Sequence, residues 1–264
     1  MNKINQEIKQ QKDIDELLKS KIKDKIKIAQ NRNRYIETDF LDLREQEIVK
    51  IEIIKNKYEN TILYGGHDNS ERKVMITYTD KCEYMLDKIY DEIFKVVKIR
   101  NPKEYYQKYE HKTYLGALIK LGIKREKIGD IIVNDNGADI ICKNNISEFI
   151  SNNINTLTRF QKSKITVENI KNLEYNEPEK EIKNIIVQSM RLDSIISELA
   201  RISRRKAQEL ISQERVFVNF KEELRTSIKI EENTYITIRG KGRFKINKIL
   251  NNTKSGKIVV EIEK

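Results

Sequence analysis

Four cationic side chains stand close together near residue 200 and run directly into a helical apolar pattern. The stretch RISRRKAQELI, residues 201–211, holds four cations within six positions: Arg201, Arg204, Arg205 and Lys206. Arginine and lysine neutralise phosphate oxygens, and one arginine can grip a phosphate with two parallel hydrogen bonds. The stretch therefore predicts a phosphate-binding surface, and a solvated helix face is the alternative.

A second basic stretch lies closer to the C-terminus, and we expect it to lie on the same basic face as the first. Residues 233–260 contain seven basic residues and no acidic one. At its centre, cations alternate with glycine and phenylalanine in the order Arg239, Gly240, Lys241, Gly242, Arg243, Phe244 and Lys245. Glycine lets a backbone approach a phosphate closely, and aromatic rings can stack on exposed bases. The candidate stacking residues are Phe217, Phe220 and Phe244, although Phe217 and Phe220 are equally compatible with packing.

The position of the charge is more informative than its total. The chain has 264 residues and a formal net charge of +11, but it is also rich in Lys, Ile and Asn, which can reflect codon bias. Residues 1–70 hold 14 basic and 13 acidic residues, residues 71–189 hold 21 and 18, and residues 190–264 hold 17 and 10. Codon bias should spread charge evenly, so the excess in the last segment indicates nucleic-acid binding there.

Two short helices and a small sheet must position these cations. One apolar helical stripe is formed by Leu192, Ile195, Ile196, Leu199 and Ala200. Ser203 is a suitable N-cap for a second helix that buries Ala207, Leu210 and Ile211. At about 100° per residue, the open face of this helix then carries Arg204, Arg205, Gln208 and Ser212. The segments RVFVN, TYITIR and KIVVEIE predict the strands that follow.

The remainder of the chain predicts an α+β protein of several parts. Residues 1–70 form a helical N-terminal segment, with helical spacing through residue 60 and a boundary at the Gly-Gly pair of YGGHDN. Residues 71–175 mix helix and strand patterns, including a hairpin around an Asn-Gly turn in DIIVNDNGADIIC. Residues 176–184 are polar and are the predicted linker, and residues 185–264 form the last domain.

Composition excludes several classes of protein. No window reaches the roughly 18 consecutive apolar residues of a membrane span, and the polar start MNKINQEIKQQKDID is not a secretory signal. Cys82 and Cys142 are the only cysteines, and their spacing makes neither a zinc site nor a disulfide framework. We therefore expect a cytoplasmic protein without a cofactor, a metal or a membrane partner.

The segment MRLDSIISELARISRRKAQELISQERVFVN, residues 190–219, resembles the RNA-binding S4 domain. The residues that match the pattern of that family are Arg191, Leu192, Asp193, Ser203, Arg204, Ala207, Gln208, Leu210, Ile211, Val216, Val218 and Asn219. The chain departs from the family at turns, since the family usually has glycine at Glu214 and Phe220 and Gly-Asp at Glu232-Asn233.

The resemblance and the two basic stretches together define the predicted RNA-binding residues. These are Arg191, Arg201, Arg204, Arg205, Lys206, Gln208, Asn219, Arg239, Lys241, Arg243 and Lys245. Asp193 lies in an Arg-Leu-Asp tripeptide, which in an S4-bearing pseudouridine synthase supplies a catalytic aspartate. No synthase domain follows here, so Asp193 is expected to cap or orient its helix.

Further blocks of the chain resemble the YlmH family of S4 proteins. They are FLDLREQEIVK, YGGHDNSERK, YLGALIKLGIKREKIGDIIV and RGKGRFKI. The resemblance covers most of the chain and implies a helical N-terminal segment, an RRM-like α/β-sandwich middle domain and a C-terminal S4 domain. It also implies binding to ribosomal or transfer RNA and association with the large ribosomal subunit, in some members during quality control of stalled subunits.

The common nucleotide-binding motifs of enzymes are absent from the sequence, whereas a hydrolase with paired carboxylates stays an open alternative because Asp and Glu occur throughout the chain. The chain has neither a G-x-x-x-x-G-K-[ST] phosphate loop nor a G-x-G-x-x-G dinucleotide turn. We expect a non-enzymatic, monomeric RNA-binding protein. An RNA-modifying enzyme anchored by its S4 domain is the alternative, and a DNA-binding or division-associated interaction protein is a third hypothesis.

Overall fold

The computed structural model describes residues 2–175, 181–253 and 255–264 of the chain. The chain divides into two compact units, Met1–Asn176 and Glu177–Lys264. Residues 176–180 of the predicted linker lie outside the described residues, and residues 182–184 belong to a strand. Within the described ranges, no helix is both long enough and apolar enough to cross a membrane.

The N-terminal segment combines helices with a small antiparallel sheet. Its elements are α1 (Asn2–Arg32), β1 (Ile36–Leu41), α2 (Leu43–Asn56), β2 (Thr61–Tyr64) and β3 (Lys73–Thr77). The strand order is β1-β3-β2, so this sheet continues past residue 71. The prediction that residues 1–60 are helical throughout is wrong for β1. Thr38 and Phe40 of β1 are buried at alternate positions, a strand period that the helical spacing of the flanking isoleucines obscured.

The middle domain has the βαββαβ order of an RRM-like sandwich. After the short helices α3 (Asp80–Glu83) and α4 (Leu86–Ile93) come β4 (Phe94–Arg100), α5 (His111–Lys120), β5 (Ile128–Asn134), β6 (Gly137–Lys143), α6 (Asn144–Asn153) and β7 (Lys164–Asn169). The four strands are antiparallel in the order β5-β6-β4-β7. The predicted hairpin is present, but its two turn residues are Asp135 and Asn136 rather than the predicted Asn136-Gly137 pair, since Gly137 begins β6. The predicted RRM-like shape is therefore confirmed.

The C-terminal unit has the two helices and the sheet that the S4 pattern predicts. Its elements are β8 (Ile182–Val187), α7 (Leu192–Ala200), α8 (Arg204–Ser212), β9 (Val216–Val218), β10 (Lys221–Glu222), β11 (Tyr235–Ile238), β12 (Gly242–Asn252) and β13 (Ile258–Glu263). The antiparallel sheet has the order β10-β9-β11-β12-β13-β8. The apolar stripes of α7 and α8 pack on it, with Ile195, Ile196 and Ile211 fully buried.

Ser203 begins α8 as predicted, because its Oγ accepts a hydrogen bond from the Lys206 N–H at 3.3 Å. Ser203→Ala is expected to lower the stability of the C-terminal unit by about 1 kcal/mol, because a helix N–H loses its partner. Hydrogen exchange of the α8 amides measures this change. Ser212→Ala at the exposed end of the same helix is the control, and it should change the stability of the unit by no more than about 0.5 kcal/mol. Equal effects of the two substitutions would argue against the cap.

Candidate nucleic-acid interface

A buried carboxylate organises the helix pair of the C-terminal unit. The side chain of Asp193 on α7 is 0% exposed. Arg191 donates to it with Nε and Nη2 at 3.2 and 3.1 Å. From α8, Arg204 Nη2 and Gln208 Nε2 each donate to it at 3.0 Å. Asp193 thus links the two helices and holds three predicted RNA-binding residues. Asp193 was predicted either to cap its helix or to orient it, and these contacts give it the orienting role.

The ionisation of Asp193 follows from these contacts. Burial by itself would raise the pKa of this carboxyl, but the hydrogen bonds from Arg191, Arg204 and Gln208 outweigh burial and hold the pKa well below its ordinary value. The carboxylate is therefore charged at neutral pH. Its two arginine partners remain 41% and 45% exposed, so their guanidinium groups are fixed in orientation and still face solvent.

Three further cations surround this anchored group. Arg205 is 89% exposed and contacts Glu209 one turn along α8, with Nε 3.3 Å from Oε1. Lys206 is exposed on the first turn of α8. Arg201 is exposed between the helices and has a left-handed backbone with φ of 52°. The residues predicted for the open face of α8, Arg204, Arg205, Gln208 and Ser212, are exposed. We call the exposed polar and cationic residues of this helix pair the helix face (Arg191, Arg201, Arg204, Arg205, Lys206 and Gln208).

The basic residues of the sheet lie on its other face. Arg243 and Lys245 on β12 alternate with Phe244 and Ile246, which are buried in the core shared with the helices. Because strand side chains alternate between faces, Arg243 and Lys245 point to the side that the helices do not cover. The predicted residues therefore do not form one surface, and the expectation of a single basic face is wrong.

Aromatic rings lie beneath these cations. The guanidinium carbon of Arg243 is 5.5 Å from the ring centroid of Phe220, and Lys245 Nζ is 5.8 Å from that of Tyr235. Phe244, a predicted stacking residue, is buried in the core instead. Tyr235 was missed, although its alternation with the apolar Ile236 in TYITIR is the signal that places it on the outer face.

A tight turn presents the remaining two cations. Arg239 and Lys241 flank Gly240 between β11 and β12, and Gly240 has φ of +82°, a conformation that favours glycine. The guanidinium carbon of Arg239 lies 4.8 Å from the ring centroid of Phe217. The turn is tied to the start of β9, since the Arg239 N–H donates to the carbonyl of Arg215, the residue before that strand, at 2.9 Å.

The turns at which the chain lacks the usual glycines keep left-handed backbones. Glu214, Phe220 and Asn233 have φ of 60°, 64° and 60°. Asn219 is used within the same region, because its Oδ1 accepts the Tyr235 N–H at 2.9 Å. Its carboxamide oxygen therefore holds β9 against β11, which is a structural role that the prediction of RNA contact did not include.

The middle domain does not offer the open sheet face typical of RRM-like folds. Phe94 and Val96 on β4 and Ile141 on β6 lie on the sheet face opposite α5 and α6. They pack in one buried cluster with Phe40 of β1 and Ile76 of β3. The N-terminal sheet thus covers this part of the face, and bases cannot stack there while it remains in place.

Two sequence blocks singled out by the family resemblance meet in space. Asp130 accepts hydrogen bonds from the N–H groups of Glu71 and Arg72 at 2.8 and 3.0 Å. The Nε2 of His67 is 3.3 Å from Asp130, and the His67 ring stacks on Tyr175 with centroids 3.8 Å apart. The block YGGHDNSERK is therefore anchored by the Asp130 carboxylate to the block YLGALIKLGIKREKIGDIIV.

Two family models match the chain, one within each compact unit. Residues 90–174 match the family model of the proposed RNA-binding domain in YlmH, and residues 190–233 match that of the S4 domain. The chain is 31% identical over 240 residues to the ribosome-associated protein quality control protein P2 of Bacillus subtilis, covering 90% of each protein. A solved structure, the cell division protein ylmH from Streptococcus pneumoniae, aligns at a TM-score of 0.44 with 18% identity, covering 59% of this chain and 90% of that one.

Proposed function

Because this chain belongs to the YlmH family of S4-domain proteins, we propose that it binds structured ribosomal or transfer RNA and associates with the large ribosomal subunit. The Bacillus relative is named as a ribosome-associated protein of protein quality control. We extend this role to the present chain, as a cytoplasmic, monomeric factor that binds RNA without catalysing a reaction on it.

The observation that carries the proposal is the arrangement around Asp193. A fully buried carboxylate fixes Arg191 and Arg204 in orientation while both guanidinium groups still face solvent. Groups fixed in this way lose less side-chain entropy when they bind, which favours association. Arg201, Arg205 and Lys206 add exposed positive charge around them. Such a surface suits the closely spaced phosphates of a folded RNA.

The enzymatic alternative lacks comparable support. The two matching family models are RNA-binding domains, and the name of the Bacillus relative describes ribosome association. The S4 carboxylate that could have suggested a synthase, Asp193, is saturated with hydrogen bonds from its neighbours.

Sedimentation of a cell extract through a sucrose gradient tests the proposal. The wild-type protein should travel with the large ribosomal subunit, whereas Arg205→Ala/Lys206→Ala should remain near the top, because two phosphate-binding cations are lost from the helix face. Lys112→Ala/Lys120→Ala removes the same charge from exposed positions of α5 and should sediment like the wild type. If the wild type stays at the top, ribosome association is wrong. If the helix-face variant sediments normally, that face is not the docking surface.

A further inference from the structure

The outer face of the C-terminal sheet carries three aromatic rings, each with a cation over it. We call this surface the ring–cation platform, and its residues are Phe217, Phe220, Tyr235, Arg239, Arg243 and Lys245. Phe220 and Tyr235 also contact each other, with centroids 5.2 Å apart and planes inclined by 32°. All three rings are partly buried, and none belongs to the core cluster of the unit. Phe217 lies on β9, Phe220 in the turn after β9 and Tyr235 on β11, and the cations Arg243 and Lys245 lie on the neighbouring β12.

The backbone at Phe220 shows that its ring is held at a conformational cost. Phe220 has φ of +64°, in the left-handed region that glycine adopts readily and a bulky residue adopts only at a cost. Asn219 before it is also left-handed, with φ of 46°. This turn places the Phe220 ring against Tyr235 and beneath Arg243. Strain of this kind at a surface residue points to a use for the side chain beyond folding.

The charge of the platform suits a polyanion with flat groups. Glu222 and Glu263 are the cross-strand partners of Phe217 and Lys245. Glu261 on β13 points to the same face, and with Lys241 in the adjoining turn the four cations of this surface outnumber these three carboxylates by one. Bases stack both on aromatic rings and on the planes of arginine guanidinium groups, and the cations of the platform can meet the phosphates on either side.

We propose that the ring–cation platform binds unpaired RNA bases by stacking, as a site separate from the helix face. The inference rests on the proposed function and deepens it, because it assigns single-stranded RNA to the sheet and folded RNA to the helices. The two surfaces lie on opposite sides of the shared core, since the core residues Ile236 and Ile238 separate them. One RNA with a folded part and an unpaired part, or two RNA segments, can therefore contact the unit at once.

Fluorescence anisotropy with the full-length chain tests the platform. The probes are a labelled oligoadenylate of about eight nucleotides, within the site size of small single-strand binding domains, and an abasic oligomer of equal length and charge. The wild type should bind the oligoadenylate at least about tenfold more tightly than the abasic oligomer. Phe217→Leu/Phe220→Gly should lose this preference without changing affinity for the abasic oligomer, because every charge is retained. The glycine also suits the left-handed turn, so the variant should fold.

The outcomes separate this inference from the proposed function. Equal binding of the two probes by the wild type, or an undiminished preference in the variant, would overturn the platform. A variant that keeps the preference yet no longer sediments with the large subunit would overturn it in favour of a protein contact. Loss of preference with normal sedimentation supports a platform that is distinct from the helix face. Failure of the wild type to sediment contradicts the proposed function alone, since the oligomer assay does not involve the ribosome.

Discussion

Asp193→Ala is expected to lower the free energy of unfolding of the C-terminal unit by about 3 kcal/mol, at the lower end of the range for breaking a buried ion pair. The side chain is fully buried and accepts hydrogen bonds from two arginines and a glutamine. The effect stays at the lower end because Arg191 and Arg204 are 41% and 45% exposed and can be hydrated when their partner is lost. Hydrogen exchange of the α7 and α8 amides measures this unit separately from the rest of the chain.

The same substitution gives a second readout with a distinctive sign. Asp193→Ala raises the net charge by one, so simple electrostatics predicts tighter RNA binding. We expect weaker binding instead, because Arg191 and Arg204 lose the acceptor that orients them. Glu198→Ala is the matched control, since it removes an exposed carboxylate from the same helix. Glu198→Ala should leave the free energy of unfolding within about 0.5 kcal/mol of the wild-type value and should not weaken RNA binding. Tighter binding by Asp193→Ala would contradict the orienting role.

The pH dependence of this stabilisation follows from the lowered pKa of Asp193 in the folded unit. A carboxyl with a depressed folded pKa contributes stability that is fully present above its unfolded pKa, about 4, and is lost as pH falls through the folded value. The stability difference between the wild type and Asp193→Asn should therefore be constant from neutral pH down to about pH 5 and shrink in stronger acid. A difference that grew on acidification would contradict the assignment.

Removing the unanchored cations of the helix face should have the largest effect on RNA affinity. Arg201→Gln/Arg205→Gln/Lys206→Gln keeps much of each side chain but removes three exposed charges. If each contacts one phosphate, the slope of log affinity against log salt should fall by about two to three, and affinity near 0.1 M salt by about a hundredfold. Titration of a ribosomal RNA fragment at several salt concentrations measures both quantities.

A charge-matched control separates local contact from overall charge. Lys103→Gln/Lys112→Gln/Lys120→Gln removes three exposed cations from the middle domain and should leave the salt slope unchanged. Equal losses of RNA affinity in both triple variants would indicate long-range attraction only.

Arg204 is left intact in these variants because it donates to buried Asp193. From the sequence, the stability of Arg204→Ala/Arg205→Ala is expected to stay within about 0.5 kcal/mol of the wild-type value. The contact with Asp193 makes Arg204 part of the fold, which that expectation did not include.

Much of the local structure could be predicted from the sequence. The stripe of α7, the Ser203 cap of α8, the hairpin of β5 and β6 and three strands of the last domain, β9, β11 and β13, were identified correctly. Each depends on the period of apolar residues or on a turn or cap residue, and these signals act over a few positions along the chain. The exception is β1, whose short alternation lies between two helices with many isoleucines.

Family membership and the exposed face of α8 could also be determined from the residues alone, because both depend on spacing within continuous segments. The tertiary structure decided which of the predicted residues act together. It showed that Asp193 holds Arg191, Arg204 and Gln208, that the basic strand lies across the core from the helices, and that β1 and β3 cover the RRM-like sheet. These facts depend on contacts between residues distant in the chain. Periodicity shows which side of an element is apolar, but only the packing of one element on another determines what each side chain meets.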